Sequence, residues 1–234
     1  MGVYKNGIWT QNEFNERMLP DGYTQLEYIE STGEQYINTN FVFDSQTSAF
    51  LEFSNASNST AESGFIGAYQ NSIGGLLFGI YKNSSEYYFR FAHGGPWNGN
   101  TVLADLNKHS IMLNKNNISK IDNVVLATNL NITTSLNPNQ AGYIFWTNGG
   151  TTYKGKFRLH KCKIWNSNIL IRDFIPALRS SDNVAGLYDL VNNEFYTNAG
   201  TGTFITGPKV GGITANAKIY KKTNALEANE FWEI

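Results

Sequence analysis

Hydrophobic and polar residues alternate with a period of two through most of the chain. In residues 86–91 (EYYFRF), Tyr87, Phe89 and Phe91 fall on one side of the run. This period is typical of a β-strand that has one face buried. The same pattern predicts strands at residues 49–53 (AFLEF), 63–69 (SGFIGAY) and 75–82 (GLLFGIYK), which Asn, Ser and Gly clusters separate.

One predicted strand changes its parity partway along. In the run KFRLHKCKI (residues 156–164), the apolar positions shift from Phe157 and Leu159 to Cys162 and Ile164. One extra residue near His160–Lys161 would restore the alternation, so we predict a β-bulge there.

Cys162 is the single cysteine of the chain. It excludes an internal disulfide framework and is expected to be a buried thiol.

Turn residues divide the chain into short strands without an amphipathic helix in its body. Residues 187–196 predict a hairpin around Asn192–Asn193, because Asn tolerates the positive φ of tight turns. Residues 19–40 and 169–204 mix β-type runs with Gly, Asn and Asp, and we expect them to be the first and last strands of one sandwich. Strands spaced by about 8–12 residues indicate an all-β fold, an antiparallel two-sheet β-sandwich or jelly roll.

The two ends of the chain differ from its body and resemble each other. Val3-Tyr4-Lys5 precedes Asn12-Glu13-Phe14, and Ile219-Tyr220-Lys221 precedes Asn229-Glu230-Phe231. A chance match is the alternative, because the gap differs by one residue. We predict an N-terminal docking arm at residues 1–18, a sandwich at residues 19–208, and a linker with a C-terminal docking arm at residues 209–234. The assembly candidates are the aromatic residues of the arms, Tyr4, Trp9, Phe14, Tyr220, Phe231 and Trp232.

Composition and charge exclude several classes of function. Charged residues make up 16% of the 234 residues and the formal net charge is −1, so a basic face for nucleic acid is not expected. No apolar run approaches the roughly 18 residues that span a membrane. The first residues, MGVYKNGIWTQNEF, lack the apolar region of a signal peptide.

Short motifs in the two end segments of the predicted sandwich carry a family resemblance. They are YTQLEYIESTG (residues 23–33) with QYI (35–37), and RDFIP (172–176), GLYD (186–189), FYTN (195–198) and GTG (200–202). Together they resemble the LamG-like domains, of the concanavalin A-like lectin/glucanase superfamily, found in phage and prophage structural proteins. The resemblance implies a jelly roll whose first and last segments are neighbours. It also implies a virion or cell-surface setting in which the domain binds glycans or acts as a spacer.

Catalytic carboxylates of the kind used by glycoside hydrolases are not evident in the sequence. Those enzymes need two carboxylates that flank the scissile bond. An E-x-D-x-x-E run is missing, Glu27 and Glu30 differ in parity, and Asp182 and Asp189 stand alone. A pair from distant strands stays open as a third function. We predict a protein that is not an enzyme and assign no catalytic residues.

Metal binding is not predicted either. The histidines, His93, His109 and His160, lack the spacing of metal ligands and are expected to be solvated or hydrogen-bonded. The resemblance leaves calcium open as a cofactor at a loop rim. The available carboxylates, Asp44, Asp105, Asp122 and Asp182, lie in no dense acidic loop, so turn formation is their favoured role.

Glycan binding would use an aromatic ring beneath the C–H face of a sugar, with hydrogen bonds at its edge. The loop at residues 93–100 (HGGPWNGN) offers His93, Trp97 and Asn98, and Trp146 and Tyr69 are further candidates. Packing in the core or at the rim is the alternative role for each ring.

These observations lead to one leading function and one alternative. We predict a non-enzymatic phage virion protein, in a tail, fibre or head-decoration position on the particle surface. Its sandwich would display loops to a host-surface glycan, and its arms would bind other virion subunits, including further copies of the chain. The alternative is a purely structural capsid or fibre decoration protein that assembles through its arms without a ligand.

Overall fold

A computed structural model describes residues 3–5, 8–10, 19–57, 63–70, 75–82, 86–91, 97–101, 105–114, 119–127, 141–148 and 154–210. These described residues form twenty β-strands and no helix. In chain order the strands are β1 (Val3–Lys5), β2 (Ile8–Thr10), β3 (Tyr23–Gln25), β4 (Ile29–Glu30), β5 (Ile37–Val42), β6 (Thr47–Asn55), β7 (Ser63–Gln70), β8 (Gly75–Lys82), β9 (Glu86–Phe91), β10 (Trp97–Thr101), β11 (His109–Leu113), β12 (Ser119–Ile121), β13 (Val124–Ala127), β14 (Ala141–Ile144), β15 (Thr147–Asn148), β16 (Phe157–Asn166), β17 (Ile169–Arg179), β18 (Val184–Asp189), β19 (Glu194–Thr197) and β20 (Ile205–Thr206).

Two large sheets contain most of the described strands. The seven-stranded sheet has the order β10-β9-β8-β7-β14-β5, with β15 beside β7. The eleven-stranded sheet has the order β13-β12-β11-β6-β16-β17-β18-β19. In addition, β3 pairs with β17, and β4 pairs with both β16 and β20. Neighbouring strands run antiparallel, apart from the short parallel pairing of β15 with β7. The fold is therefore all-β and mainly antiparallel, as the alternation predicts.

Aromatic side chains join the two sheets into a sandwich. Phe53 of the eleven-stranded sheet meets Phe65 of the seven-stranded sheet, with ring centroids 4.6 Å apart. Phe157 of β16 packs against Phe145 and Phe65 at centroid distances of 4.6 Å and 4.8 Å. All four rings are fully buried. Burial of several large rings in one layer is the main stabilising contribution expected for such a fold.

The predicted bulge is confirmed in β16. Its pairing with β6 shifts register between Leu159 and Lys161. Phe157 and Leu159 before the shift, and Cys162 and Ile164 after it, are all fully buried. The extra residue therefore keeps the apolar side chains on the core face.

The predicted hairpin at residues 187–196 is also confirmed. β18 and β19 pair antiparallel, and Asp189 lies opposite Glu194 at the end of the ladder. Asn193 adopts a φ of 56° in the turn, a left-handed conformation that Asn tolerates well. The Asn192 Nδ2 group donates to Asp189 Oδ2 at 2.8 Å.

The segments at residues 19–40 and 169–204 are neighbours in space, as expected. β3 pairs with β17 through Gln25 and Ala177. β4 pairs with β16 on one side and with β20 on the other. The first and last parts of residues 19–208 therefore close the same sheet.

The N-terminal strands form a separate unit. β1 and β2 pair antiparallel, with Tyr4 directly opposite Trp9, and no other described strand joins them. The remaining arm candidates, Phe14, Tyr220, Phe231 and Trp232, lie outside the described residues. A search of the described residues finds no helix that is long and apolar enough to cross a membrane.

Candidate functional site

A tight turn between β4 and β5, residues 31–35, is the centre of the site and is called here the STGEQ turn. Gln35 holds the turn together, because its Oε1 atom accepts from the backbone N of Thr32 at 2.8 Å. The Ser31 hydroxyl donates to the carbonyl of Gln35 at 3.0 Å and accepts from the N of Gly33 at 3.1 Å. Gly33 has a φ of 104°, which side-chain-bearing residues rarely adopt. This sequence therefore encodes a turn with its own internal hydrogen bonds.

The STGEQ turn docks on the loop between β19 and β20. Gln35 donates through Nε2 to the carbonyl of Thr201 at 3.2 Å, and the N of Thr201 donates to the carbonyl of Glu34 at 3.1 Å. The carbonyl of Tyr36 accepts from the N of Ala199 at 2.9 Å. Gly200 is needed at this contact, since a Cβ atom there would lie 2.1 Å from the carbonyl oxygen of Glu34. The two motif-bearing segments thus share one hydrogen-bonded contact.

Three aromatic residues beside this turn, Tyr36, Tyr143 and Trp146, form a cluster that we call the aromatic platform. The rings of Tyr36 and Tyr143 stack with centroids 4.7 Å apart and an interplanar angle of 22°. Trp146 meets Tyr36 edge-on at 4.9 Å. All three residues are half-buried.

Two charged side chains lie at the edge of the aromatic platform. Lys154 Nζ lies 5.2 Å from the centroid of the Trp146 ring and 3.0 Å from Glu34 Oε2. A cation over an indole face is a favourable contact that also fixes the orientation of the ring. Burial, followed by the neighbouring Tyr36 phenol, raises the pKa of Tyr143 above its ordinary value. The Tyr143 hydroxyl is therefore neutral, and a hydrogen-bonding group, at physiological pH.

A polar cavity of about 210 Å³ lies close to the STGEQ turn and is called here the Lys82 cavity. Its lining includes Glu30, Ser31, Thr32, Asn55, Lys82 and Lys156. Asn55 is the last residue of β6, and Lys82 is the last residue of β8. Because these strands belong to different sheets, the cavity lies between the sheets at one end of the sandwich.

The ammonium group of Lys82 is the most unusual group in this cavity. Lys82 is only 3% exposed, and its Nζ donates to Asn55 Oδ1 at 2.7 Å. Burial lowers the pKa of Lys82 from 10.5 to about 8. Asn55 is itself oriented by its Nδ2 group, which donates to the carbonyl of Asp105 at 2.9 Å. The sequence pattern did not indicate this site, because a lysine at the end of a strand ordinarily faces solvent.

The predicted glycan candidates fall in different parts of the seven-stranded sheet. Trp146 belongs to the aromatic platform. Tyr69 lies near the end of β7, opposite Leu76. Trp97 and Asn98 belong to β10, opposite Phe89 and Tyr88, rather than to a loop as expected.

The correction for Trp97 and Asn98 has a simple cause. Ladder hydrogen bonds to β9 extend the sheet by one edge strand, and they override the turn preference of the surrounding Gly and Asn residues. His93 lies outside the described residues. Among the glycan candidates whose side chains the structure describes, Trp146 belongs to the aromatic platform.

Three of the four aspartates considered for calcium cap turns, and Asp122 accepts from the neighbouring strand β11. Asp44 Oδ1 accepts from the N of Gln46 at 2.8 Å, and Asp105 Oδ1 accepts from the N of Asn107 at 2.8 Å. Asp182 Oδ1 accepts from the N of Val184 at 3.2 Å, and Asp122 Oδ1 from the N of Ser110 at 2.7 Å. The hydrogen bonds of Asp44, Asp105 and Asp182 show the ordinary role of Asp in turns. In the part of the chain that the structure describes, no group of three or more His, Cys, Asp or Glu residues is arranged to hold a metal ion.

Two histidines have well-defined hydrogen-bond partners. His109 lies between Asp122, 2.7 Å from Nδ1, and Asp105, 2.8 Å from Nε2. Burial lowers the pKa of His109, but the two carboxylates outweigh that effect and raise it above its ordinary value. His160 contacts the Ser54 hydroxyl at 3.0 Å and the carbonyl of Glu27 at 2.9 Å. The Asp105–His109 spacing of four residues is a signal that the sequence analysis missed.

The fold and the site define this protein as a β-sandwich that has an aromatic surface platform and an adjoining polar cavity. No protein-family model matches the chain, and no curated protein sequence matches it significantly. The resemblance to LamG-like domains therefore depends on the residues quoted for it above.

Proposed function

We propose that this chain is a non-enzymatic carbohydrate-binding protein of a phage virion, and that its aromatic platform contacts the sugar. The observation that carries the proposal is the half-buried Trp146 ring beside Tyr36 and Tyr143, edged by Lys154 and Glu34. Sugar rings bind to such surfaces because their C–H faces pack on aromatic rings while hydroxyl groups reach polar side chains at the edge. The Lys154–Glu34 pair supplies both a donor and an acceptor at that edge.

The setting on a virion is supported by the motifs of residues 23–37 and 172–202, which resemble those of phage LamG-like domains. The STGEQ turn gives these motifs a shared role, because it holds Tyr36 of the aromatic platform against the loop between β19 and β20. One motif thus supplies Tyr36 of the proposed binding surface, and the other binds the backbone of Tyr36.

A binding assay on arrayed bacterial cell-wall and capsular glycans tests the proposal. We expect Trp146→Ala to weaken binding of any retained glycan by about tenfold or more, since one aromatic contact and its buried area are worth at least about 1.4 kcal/mol. Trp165→Ala is the matched control, because Trp165 is half-buried on β16 and belongs to the other sheet. Urea denaturation of each variant separates lost binding from lost folding.

Two results of that assay would contradict the proposal. The first is wild-type protein that binds no glycan on the array or on host cell walls. The second is binding that Trp146→Ala leaves unchanged. Cleavage of a bound polysaccharide, abolished by replacement of a single Glu or Asp, would instead indicate a glycoside hydrolase.

The alternative, a structural decoration protein, is favoured by one specific observation. β1 and β2 form a two-stranded sheet that pairs with no other described strand. An isolated hairpin is marginally stable in water, so this arm gains stability by docking on another surface. Deletion of residues 1–18 and 217–234 should then abolish incorporation into particles or reduce the oligomeric state, measured by light scattering. Unchanged assembly would refute the role of the arms.

A further inference from the structure

His109 lies between two carboxylates, and this arrangement determines how many protons its ring carries. Its Nδ1 atom lies 2.7 Å from Asp122 Oδ2, and its Nε2 atom lies 2.8 Å from Asp105 Oδ1. A neutral imidazole donates through one nitrogen, whereas an imidazolium donates through both. Because ordinary pKa values are about 6.5 for His and about 3.9 for Asp, the second proton resides on the ring and not on a carboxylate. The two contacts together therefore require a protonated His109.

The three residues, called here the His109 clamp, join segments that are separate in the sequence. Asp105 precedes β11, His109 is the first residue of β11, and Asp122 lies in the turn between β12 and β13. Asp122 contacts β11 through both carboxylate oxygens, since Oδ1 accepts from the N of Ser110 at 2.7 Å while Oδ2 contacts His109. The N of Asp122 donates to the carbonyl of Ser110 at 2.9 Å. These hydrogen bonds hold the β12–β13 turn against the start of β11.

The hairpin that the clamp holds has little apolar burial on its outer strand. The turn residues Asp122 and Asn123 have φ values of 47° and 65°, as in tight hairpin turns. Ile121 of β12 is buried, but Val124 and Val125 of β13 are 60% and 50% exposed. A segment with few buried apolar contacts opens at a lower free energy than the core of a domain. The polar contacts of the clamp therefore contribute much of what holds this turn in place.

The clamp keeps its charges over a defined range of pH. Burial lowers the pKa of His109, but the hydrogen bonds to Asp105 and Asp122 outweigh that effect and raise it above its ordinary value. The hydrogen bond from His109, followed by that from the backbone of Asn107, lowers the pKa of Asp105. Between about pH 4 and 6.5 all the charges of the clamp are therefore present. Its stabilising effect is lost as the pH rises through the raised pKa of His109.

The strands that pack against β11 leave the two carboxylates as the charged partners of His109. Phe53 of β6 lies opposite His109, with ring centroids 5.9 Å apart. Glu52 of β6 and Lys120 of β12 pair with the residues of β11 that have the opposite parity. Their side chains therefore leave the opposite face of the sheet.

Two ammonium groups lie closer to the clamp along the chain or through hydrogen bonds. Lys108 directly precedes β11 and is exposed. Lys82 Nζ donates to Asn55, whose Nδ2 group donates to the carbonyl of Asp105. Burial lowers the pKa of Lys82 to about 8. A pH experiment on the clamp therefore needs a variant that removes the titration of Lys82.

We propose that the His109 clamp is a pH-dependent switch that holds the β12–β13 turn against β11 while His109 is an imidazolium and releases it when the ring loses its proton. A neutral ring keeps one donor, so one carboxylate then faces a nitrogen lone pair. The side chains of Asp105 and Asp122 are 46% and 43% exposed, so either carboxylate can turn toward water. The switch does not depend on the proposed function, because none of its residues belongs to the aromatic platform.

NMR spectroscopy of the whole 234-residue chain tests this switch. A titration of the His109 ring signals gives its pKa, and amide hydrogen exchange gives the protection of the N–H groups of Ser110 and Asp122. We expect a His109 pKa above the ordinary value of about 6.5. As the pH rises through that pKa, both protection factors, corrected for the intrinsic exchange rate at each pH, should fall by about tenfold or more, because a charge-assisted hydrogen bond is lost. The amides of β18 should keep their protection.

Three variants separate the switch from a general effect of pH. His109→Gln is neutral at every pH, so the protection of the turn should be low throughout and should not respond to the titration. His160→Gln is the matched control, because His160 is also half-buried but contacts the Ser54 hydroxyl and not a carboxylate. It should keep the wild-type response. Lys82→Met should keep the response as well, and a response lost in Lys82→Met but kept in His109→Gln would overturn the proposal.

Asp122→Asn keeps the test valid if His109→Gln does not fold. Asn tolerates the left-handed φ of the turn and retains an acceptor for the N of Ser110, but it has no charge. This variant should lower the pKa of His109 and remove most of the pH response. A wild-type His109 pKa at or below the ordinary value would overturn the proposal. So would protection factors that stay constant through the titration, or a wild-type response in either folded variant of the clamp.

Discussion

Replacing Gln35 should destabilise the sandwich far more than replacing an exposed glutamine on the same segment. Gln35 is 5% exposed, accepts from the N of Thr32 at 2.8 Å and donates to the carbonyl of Thr201 at 3.2 Å. The methionine side chain of Gln35→Met is similar in shape to glutamine but can make neither of these two hydrogen bonds. A typical intramolecular hydrogen bond contributes about 0.5–1.5 kcal/mol, and a buried partner left without one costs about 1–3 kcal/mol. We therefore expect Gln35→Met to lower the free energy of unfolding by about 2 kcal/mol.

Urea denaturation followed by tryptophan fluorescence measures this loss. Gln25→Met is the matched control, because Gln25 is exposed on β3 and surface substitutions usually change stability by less than about 0.5 kcal/mol. Gln35→Glu adds a second test, since it keeps the acceptor for the N of Thr32 but turns a negative oxygen toward the carbonyl of Thr201. Its destabilisation should diminish at acidic pH as the carboxylate is protonated. Equal midpoints and slopes for Gln35→Met and Gln25→Met would refute this account of the STGEQ turn.

Two further predictions concern the core and the Lys82 cavity. Phe157→Ala should lower the free energy of unfolding by about 3–5 kcal/mol, because Phe157 is fully buried between the two sheets. A change below about 1 kcal/mol, measured by urea denaturation, would contradict the described packing. Lys82 should make the protein more stable as the pH rises from about 8 to 10.5. In that window the unfolded chain retains the lysine proton that the folded chain releases, so the free energy of unfolding rises, by at most about 3 kcal/mol. Glu30 and Lys156, the other charged groups at the cavity, are present in both the wild type and Lys82→Met. The rise in the free energy of unfolding with pH should therefore be smaller in Lys82→Met. Equal pH profiles for the two proteins would show that Lys82 is not desolvated.

The strand pattern was predictable because its cause is local. The alternation of apolar and polar residues indicates which face of each strand is buried. The parity change near His160 indicates one extra residue in the strand, which the structure accommodates as a bulge. The Asn192–Asn193 turn was predictable for the same reason, since it depends on the φ preference of Asn. The bulge and the turn can be predicted without knowing which residues they contact in the folded protein.

The site was less predictable because its parts come from distant places in the sequence. Trp146 was recognised as a candidate, but its partner Tyr36 lies about one hundred residues earlier and belongs to a motif noted only for its resemblance. Lys82 looked like an ordinary strand end, and only the pairing of two sheets places it beside Asn55. Trp97 was assigned to a loop because Gly and Asn preferences are local, whereas the edge pairing with β9 is not.

The contact between the two motif-bearing segments links stability of the fold to the proposed binding surface. Tyr36 belongs to the aromatic platform, yet its backbone N donates to Asn198 Oδ1 at 3.1 Å and its carbonyl accepts from the N of Ala199. The last strands of the sandwich therefore position a ring that the first strands supply. A domain whose binding surface depends on closure of its own sheet binds only when it is fully folded. This dependence gives a physical reason for the two segments to occur together in one chain.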